Sequence, residues 1–106
     1  VRYVRQLQLE SEEVLLISVA DKLHNCRAIL DDYRELGESL WGRFNAGRAE
    51  VLWYYQELAL TFTERLPGRL ADELRRTVDS LRAEVALNVP TSDDEVDQVR
   101  EQLRIA

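Results

Sequence analysis

Cysteine and long apolar runs are nearly absent from this sequence. The only cysteine, Cys26, cannot form an internal disulfide and has no second thiol at metal-ligand spacing. We therefore interpret Cys26 as a small core residue in a reducing compartment. No apolar run approaches the roughly 18 residues of a membrane span, and the first residues carry no apolar signal-peptide core. The sequence predicts a cytoplasmic protein without a membrane partner.

Positive charge is also in short supply. Lysine and arginine number 14 against 20 aspartates and glutamates, which gives a formal net charge of -6. Broad binding to DNA or RNA needs clustered positive charge, so this composition argues against a nucleic-acid polymer as partner. A local basic pocket for an anionic small molecule stays compatible with it. Because 45% of the residues are apolar, a packed core is expected and wholesale disorder is not.

Strand signals are missing as well. The sequence has no sustained alternation of apolar and polar residues and no Asn-Gly or Asp-Gly hairpin turn. Helical signals recur instead. Ser11, followed by two glutamates, predicts the start of a helix. The apolar pattern then runs to about Leu36, and Gly37 is a natural terminator. A short helical turn, ESLWGRF, is expected to follow.

Two further helices are predicted downstream. The third segment begins near Ala46 and ends before Pro67, and the fourth runs from about Leu70 to Leu87. Their apolar positions step by three or four residues, as one buried helical face does. These positions are Val51, Tyr55, Leu58 and Phe62 in the third segment, and Leu70, Leu74, Val78, Leu81 and Val85 in the fourth. The pattern restarts behind Pro90. The sequence therefore predicts an all-α fold.

Three polar side chains interrupt the first long helix. At 100° per residue, Asp21, His24 and Asn25 share one face of it. Ile17 and Ala28 lie on the same face, and the other sides are apolar, so we expect a central helix that is covered on most sides. Carboxylates are rarely buried unless they are paired or bound to metal. Spacing alone leaves two interpretations open: a buried ion pair with an arginine of another helix, or a ligand role.

The stretch LLISVADKLHNCRAIL resembles the last signature segment of the HD-domain metal-dependent phosphohydrolases. It is most similar to the guanosine-polyphosphate (ppGpp) hydrolase branch, whose usual form is KLADRLHNMRT. The continuation LWGRFNAGRAEVLWYYQELALTF resembles the downstream helix of small stand-alone bacterial HD proteins. The resemblance covers roughly residues 10–66. The matching positions are Ala20, Asp21, Leu23, His24, Asn25 and Arg27, with Lys22 in place of an arginine.

This resemblance implies a fold, a metal and two site residues. The fold would be an all-α helical bundle, with the C-terminal part of an HD domain over residues 1–90 and a helical tail over residues 91–106. The family binds a divalent metal, often manganese, through a His, a His-Asp doublet and a distant Asp. Asp21 corresponds to that distant aspartate. Asn25 corresponds to a catalytic position near the nucleotide and the metal-bound water, whereas His24 is expected to pack and hydrogen-bond between helices.

The implied chemistry is hydrolysis of a phosphate ester or anhydride. Carboxylate oxygen together with imidazole nitrogen suits coordination of the Mn²⁺ type. A metal ion makes its bound water a nucleophile near neutral pH and neutralises charge on the phosphate under attack. The implied partner is a nucleotide, such as a guanosine polyphosphate, or another phosphorylated small molecule.

Two departures from the family pattern limit what the resemblance implies. Ala28 stands where the family has a threonine that faces the nucleotide, which weakens the case for the alarmone itself. His24 is the only histidine, so the first His and the His-Asp doublet are absent. We therefore expect a fragment, the C-terminal half of an HD domain, in agreement with Val1 at its start. Such a fragment is expected to be a homo-oligomer that covers the face around Ile17 and Asp21. The alternative is a non-catalytic all-α interaction module without a metal site.

Three other features have weaker functional interpretations. Aromatic residues at the density of WYYQEL usually belong to the core, although Trp53 and Tyr54 lie off the apolar stripe and can line a site or a subunit contact. Arg43 and Arg48 flank a loop that contains glycine, where they are either solvated or in contact with a phosphate. The charged stretch DELRRTVDSLRAE is expected to face solvent.

Overall fold

The computed structural model describes residues 2–88, with side chains from residue 4 onward. These residues form four α-helices and one 3₁₀ helix, without a strand among them, so the all-α prediction is confirmed. The helices are α1 (Arg2–Leu7), α2 (Glu12–Leu36), the 3₁₀ helix (Gly37–Arg43), α3 (Gly47–Arg65) and α4 (Arg69–Asn88). The tail predicted over residues 91–106 lies outside the described residues.

Both ends of α2 lie where the sequence predicts them. Ser11 has extended backbone angles, and its hydroxyl oxygen accepts a hydrogen bond of 3.4 Å from the amide of Val14. Gly37 has a φ of 63° and donates its amide hydrogen to the carbonyl of Tyr33. Only glycine adopts this left-handed backbone without steric cost. Local capping chemistry thus sets the length of the helix that carries the candidate site.

Helix α1 was not predicted. The first ten residues carry no cap and no long apolar period, yet Arg2–Leu7 is helical and packs against α3. Leu7 is buried in the core. At the junction of α1 and α2, Arg65 of α3 donates a hydrogen bond of 2.9 Å from Nη2 to the carbonyl of Glu10. Because a helix this short is marginal in water, the packing of Leu7 must stabilise it.

Helices α2, α3 and α4 form an up-down-up bundle. The end of α3 meets the start of α2 at Arg65 and Glu10, so these two helices are antiparallel. The predicted apolar positions of α3 are all buried, as are those of α4 except Leu70, which is half-buried. Cys26 is fully buried, as expected for a core residue. Among residues 2–88, none of the helices combines the length and the apolar character of a membrane span.

The connection between α2 and α3 is fixed by one carboxylate. Glu38 accepts hydrogen bonds from the Tyr33 hydroxyl at 2.8 Å and from the Trp41 indole at 3.1 Å. Its other oxygen accepts from Arg48 at 2.9 Å. Burial raises the pKa of Glu38, but these donors outweigh burial and hold the pKa below its ordinary value. The 3₁₀ helix is therefore anchored to both helices that it joins.

The arginines of this connection bind protein carboxylates. Arg48 pairs with Glu38, and Arg43 pairs with Asp32 at 2.7 Å. Both arginine side chains are also exposed, 54% for Arg43 and 42% for Arg48, so the solvated interpretation agrees with the structure, and contact with a phosphate stays a prediction. The carboxylates that pair with them, Asp32 and Glu38, belong to α2 and to the 3₁₀ helix. The turn that follows α2 brings these carboxylates and arginines together.

Candidate functional site

Asp21 and Asn25 lie one turn apart on the surface of α2, as their spacing predicts. The Nδ2 of Asn25 donates to the Oδ2 of Asp21 over 3.4 Å, and the Nζ of Lys22 lies 3.8 Å from the same oxygen. The first contact is near the long limit for a hydrogen bond, so it holds the carboxylate weakly. The side chain of Asp21 is 61% exposed. The buried ion pair with an arginine is therefore wrong for this structure.

The expectation that α2 is covered on most sides is also wrong. The elements that pack against α2 (the 3₁₀ helix, α3 and α4) lie on one side of it. The uncovered face carries Ile17, which is 72% exposed, together with the half-exposed Val14. Asp21 and His24 belong to this same face. Helical periodicity shows which residues share a face, but only the position of the neighbouring helices decides which face is buried.

His24 is exposed on this uncovered face. The expectation that it packs and hydrogen-bonds between helices is wrong among the described residues, since the helices of the bundle lie on the other side of α2. It is three positions after Asp21, which puts both side chains on neighbouring parts of the surface. Residues 2–88 contain no group of three or more histidine, cysteine, aspartate or glutamate side chains that could hold a metal ion. The described surface therefore offers Asp21 as an oxygen ligand, without a complete ligand set.

Tyr55 of α3 is buried, and its pKa responds to the charge of Asp21. Burial raises the pKa of Tyr55 to about 12, and the nearby Cys26, Tyr54 and Asp21 add to this effect. Its hydroxyl therefore stays protonated at physiological pH and is not a general base. The sequence placed Tyr55 in the core, which is confirmed, but did not connect it with Asp21.

An apolar groove lies beside Tyr55 on the surface of α3. Its volume is about 670 Å³, and aromatic rings dominate its lining. Tyr54 and Tyr55 meet edge to face, with 5.5 Å between their ring centres. The lining residues are Phe44, Ala46, Glu50, Val51, Trp53, Tyr54 and Tyr55. The off-stripe residues Trp53 and Tyr54 thus line this groove together with Tyr55.

Comparison of the chain with protein-family models and with curated proteins gives no match.

Proposed function

We propose that this chain is the C-terminal part of an HD-type metal-dependent phosphohydrolase of the cytoplasm. Its substrate would be a phosphorylated nucleotide, such as a guanosine polyphosphate. Asp21 would be a metal ligand, and Asn25 would orient the attacking water or the substrate. The observation that carries the proposal is the position of these two side chains. Asp21 lies on the uncovered face of α2 and the half-buried Asn25 lies at its edge, with the Asp21 carboxylate held by long contacts only.

The donor chemistry of this face fits a divalent metal in part. An exposed carboxylate supplies the hard oxygen that Mn²⁺ prefers. A bound metal would supply a water nucleophile near neutral pH and charge neutralisation at phosphorus. The amide of Asn25 already reaches the Asp21 carboxylate, so it can keep that carboxylate oriented and still donate a hydrogen bond from its second N–H. The other ligands must come from residues outside this face.

A second candidate function is a non-catalytic helical module that works by association. The exposed apolar side chains Val14 and Ile17 favour it, because contiguous apolar patches are rare on soluble monomers. The upstream half of an HD domain would cover the same face, so the patch is compatible with both functions. Only a metal-dependent activity that requires Asp21 separates them.

The test is hydrolysis by the protein that the complete reading frame encodes. Release of phosphate or pyrophosphate from a guanosine polyphosphate is measured with Mn²⁺. We expect Asp21→Asn to abolish turnover together with metal binding, and Asn25→Ala to lower turnover at retained metal binding. Asp79→Asn is the control, since Asp79 is an exposed carboxylate on α4 away from this face. Unchanged turnover in Asp21→Asn would overturn the proposal.

The 106-residue chain by itself is expected to be inactive in the same assay. One carboxylate and one exposed imidazole cannot fix a metal in a defined geometry. Sustained turnover by this chain that Asp21→Asn abolishes would show that the remaining ligands come from another copy of it.

A further inference from the structure

A second groove lies on the opposite side of α2, where this helix meets α4. Leu30 lies on its floor, nine positions after Asp21, which is half a turn around the helix at 100° per residue. The groove is open and has a volume of about 460 Å³. Arg27 and Arg34 line it from α2, and Arg76 lines it from α4. None of these arginines has a role in the function proposed above.

The two arginines of α2 are held in place by acids of α4. The Nη2 of Arg27 lies 2.9 Å from Oε2 of Glu73. Arg34 makes a two-pronged contact with Glu84, from Nε at 3.0 Å and from Nη2 at 2.8 Å. Arg34 follows Arg27 along α2, and its partner Glu84 follows Glu73 along α4, so these two helices run parallel. The expectation that the charged stretch of α4 simply faces solvent is therefore wrong for Glu73 and Glu84.

These ion pairs leave donors available to the groove. A guanidinium has five N–H donors. Arg27 uses only Nη2 on Glu73, and the Nη1 of Arg34 lies 3.9 Å from the exposed Asp31. Because the guanidinium groups are already oriented, an anion that binds them pays less of the ordering cost. The carboxylates thus position the arginines and occupy only part of their hydrogen-bonding capacity.

Helix α4 adds an arginine and a hydroxyl group on the other side of the groove. Within residues 4–88, Arg76 makes no ion pair with a carboxylate, and the hydroxyl of Ser80 lies one turn further on. Thr77 donates its hydroxyl hydrogen to the carbonyl of Glu73 over 2.7 Å. Its hydroxyl therefore has no hydrogen left to donate to an anion. An incoming anion would therefore meet Arg76 and Ser80 on this side.

The groove is less negative than the chain as a whole. Three arginines line it together with two carboxylates, Asp31 and Glu73, and Glu84 binds Arg34, so the charges at the groove nearly balance, whereas the whole chain has a formal net charge of -6. Asp31 is the group that opposes an anion most directly. It is 76% exposed, so solvent screens much of its charge.

We infer that this groove binds the phosphate group of a small soluble ligand. Phosphate oxygens match the planar fork of arginine, which accounts for the frequent use of arginine in phosphate recognition. Three arginines and a serine hydroxyl around one opening match the several acceptor oxygens of a single phosphate group. The site is separate from Asp21, so its occupation does not depend on the hydrolase proposal.

Titration of the ¹⁵N-labelled chain with inorganic phosphate, followed by NMR at constant ionic strength, tests this inference. We expect the largest shifts at the backbone amides of Thr77 and Ser80 and at the side-chain N–H groups of Arg27 and Arg34. Arg76→Ala should weaken phosphate binding about tenfold, the effect of losing one charge-assisted contact.

The matched control is Arg75→Ala. Arg75 precedes Arg76 on α4 and is exposed, but it does not line the groove. Its removal changes the net charge equally, so we expect phosphate affinity to stay within about twofold of the unmodified chain. Both variants keep the ion pair between Arg27 and Glu73, and circular dichroism checks that both fold. Absence of phosphate-induced shifts in the groove, or equal weakening by the two variants, would overturn the inference.

Discussion

Replacing Asp21 with asparagine should leave the stability of the fold nearly unchanged. The carboxylate is 61% exposed, and its contacts with Asn25 and Lys22 are long, at 3.4 and 3.8 Å. Exposed pairs of this kind contribute up to about 1 kcal/mol to the free energy of unfolding. Breaking a buried ion pair would instead cost roughly 3 to 5 kcal/mol, because it leaves a charge without its partner. Phe62→Ala, which empties a fully buried site in α3, sets a reference of about 3 to 5 kcal/mol.

Urea unfolding followed by circular dichroism measures this difference. The comparison is made in an Ile17→Gln background, where a neutral polar side chain on the exposed apolar face opposes association without placing a charge one turn from Asp21. We expect Asp21→Asn to lower the free energy of unfolding by less than about 1 kcal/mol, with Asp79→Asn as the exposed control. A loss of about 3 kcal/mol or more would show that Asp21 is paired inside the fold, and would refute its placement on an uncovered face.

Three further predictions concern association, acid stability and thiol reactivity. The unmodified chain should self-associate in sedimentation equilibrium at micromolar concentration, whereas Ile17→Glu should be a monomer; a well-folded monomer of the unmodified chain would contradict this. The Arg34 guanidinium holds the pKa of Glu84 below its ordinary value of 4.5, so the pair stabilises the fold above pH 4.5 and loses this effect as pH falls towards the folded pKa. In Glu84→Gln the free energy of unfolding should therefore fall less steeply as the pH drops below 4.5. An unchanged pH dependence would argue against the ion pair. Burial raises the pKa of Cys26 to about 12, so alkylation at pH 8 should be slow in the native chain and fast in urea, with equal rates as the contradicting result.

Helix ends and helix faces were predictable from the sequence because their causes are local. The hydroxyl of Ser11 and the positive φ of Gly37 act within one turn of the chain. Apolar spacing likewise identified Leu58 and Phe62 as core residues. Helix α1 escaped prediction because its stability depends on the docking of Leu7 onto α3, a contact between distant parts of the chain.

The surroundings of the site were less predictable because they depend on how the helices pack. The contact between Asp21 and Asn25 follows from a spacing of four residues, and it was expected. Exposure of Asp21 was not expected. When a helix is apolar on most sides, its sequence does not indicate which side the neighbouring helices pack against. The ion pairs of α2 with Glu73 and Glu84 join residues 46 and 50 positions apart, beyond the reach of any local pattern.

The central claim is that Asp21 binds a divalent metal in the complete domain, and a Mn²⁺ titration tests it most directly. Electron paramagnetic resonance of free Mn²⁺ is recorded as the ion is added to the protein encoded by the complete reading frame. The same titration is made with Asp21→Asn and with Asp79→Asn. We predict saturable binding in the unmodified protein and in Asp79→Asn, and loss of that binding in Asp21→Asn. Equal Mn²⁺ affinity in all three proteins, or none in the unmodified protein, would contradict the claim.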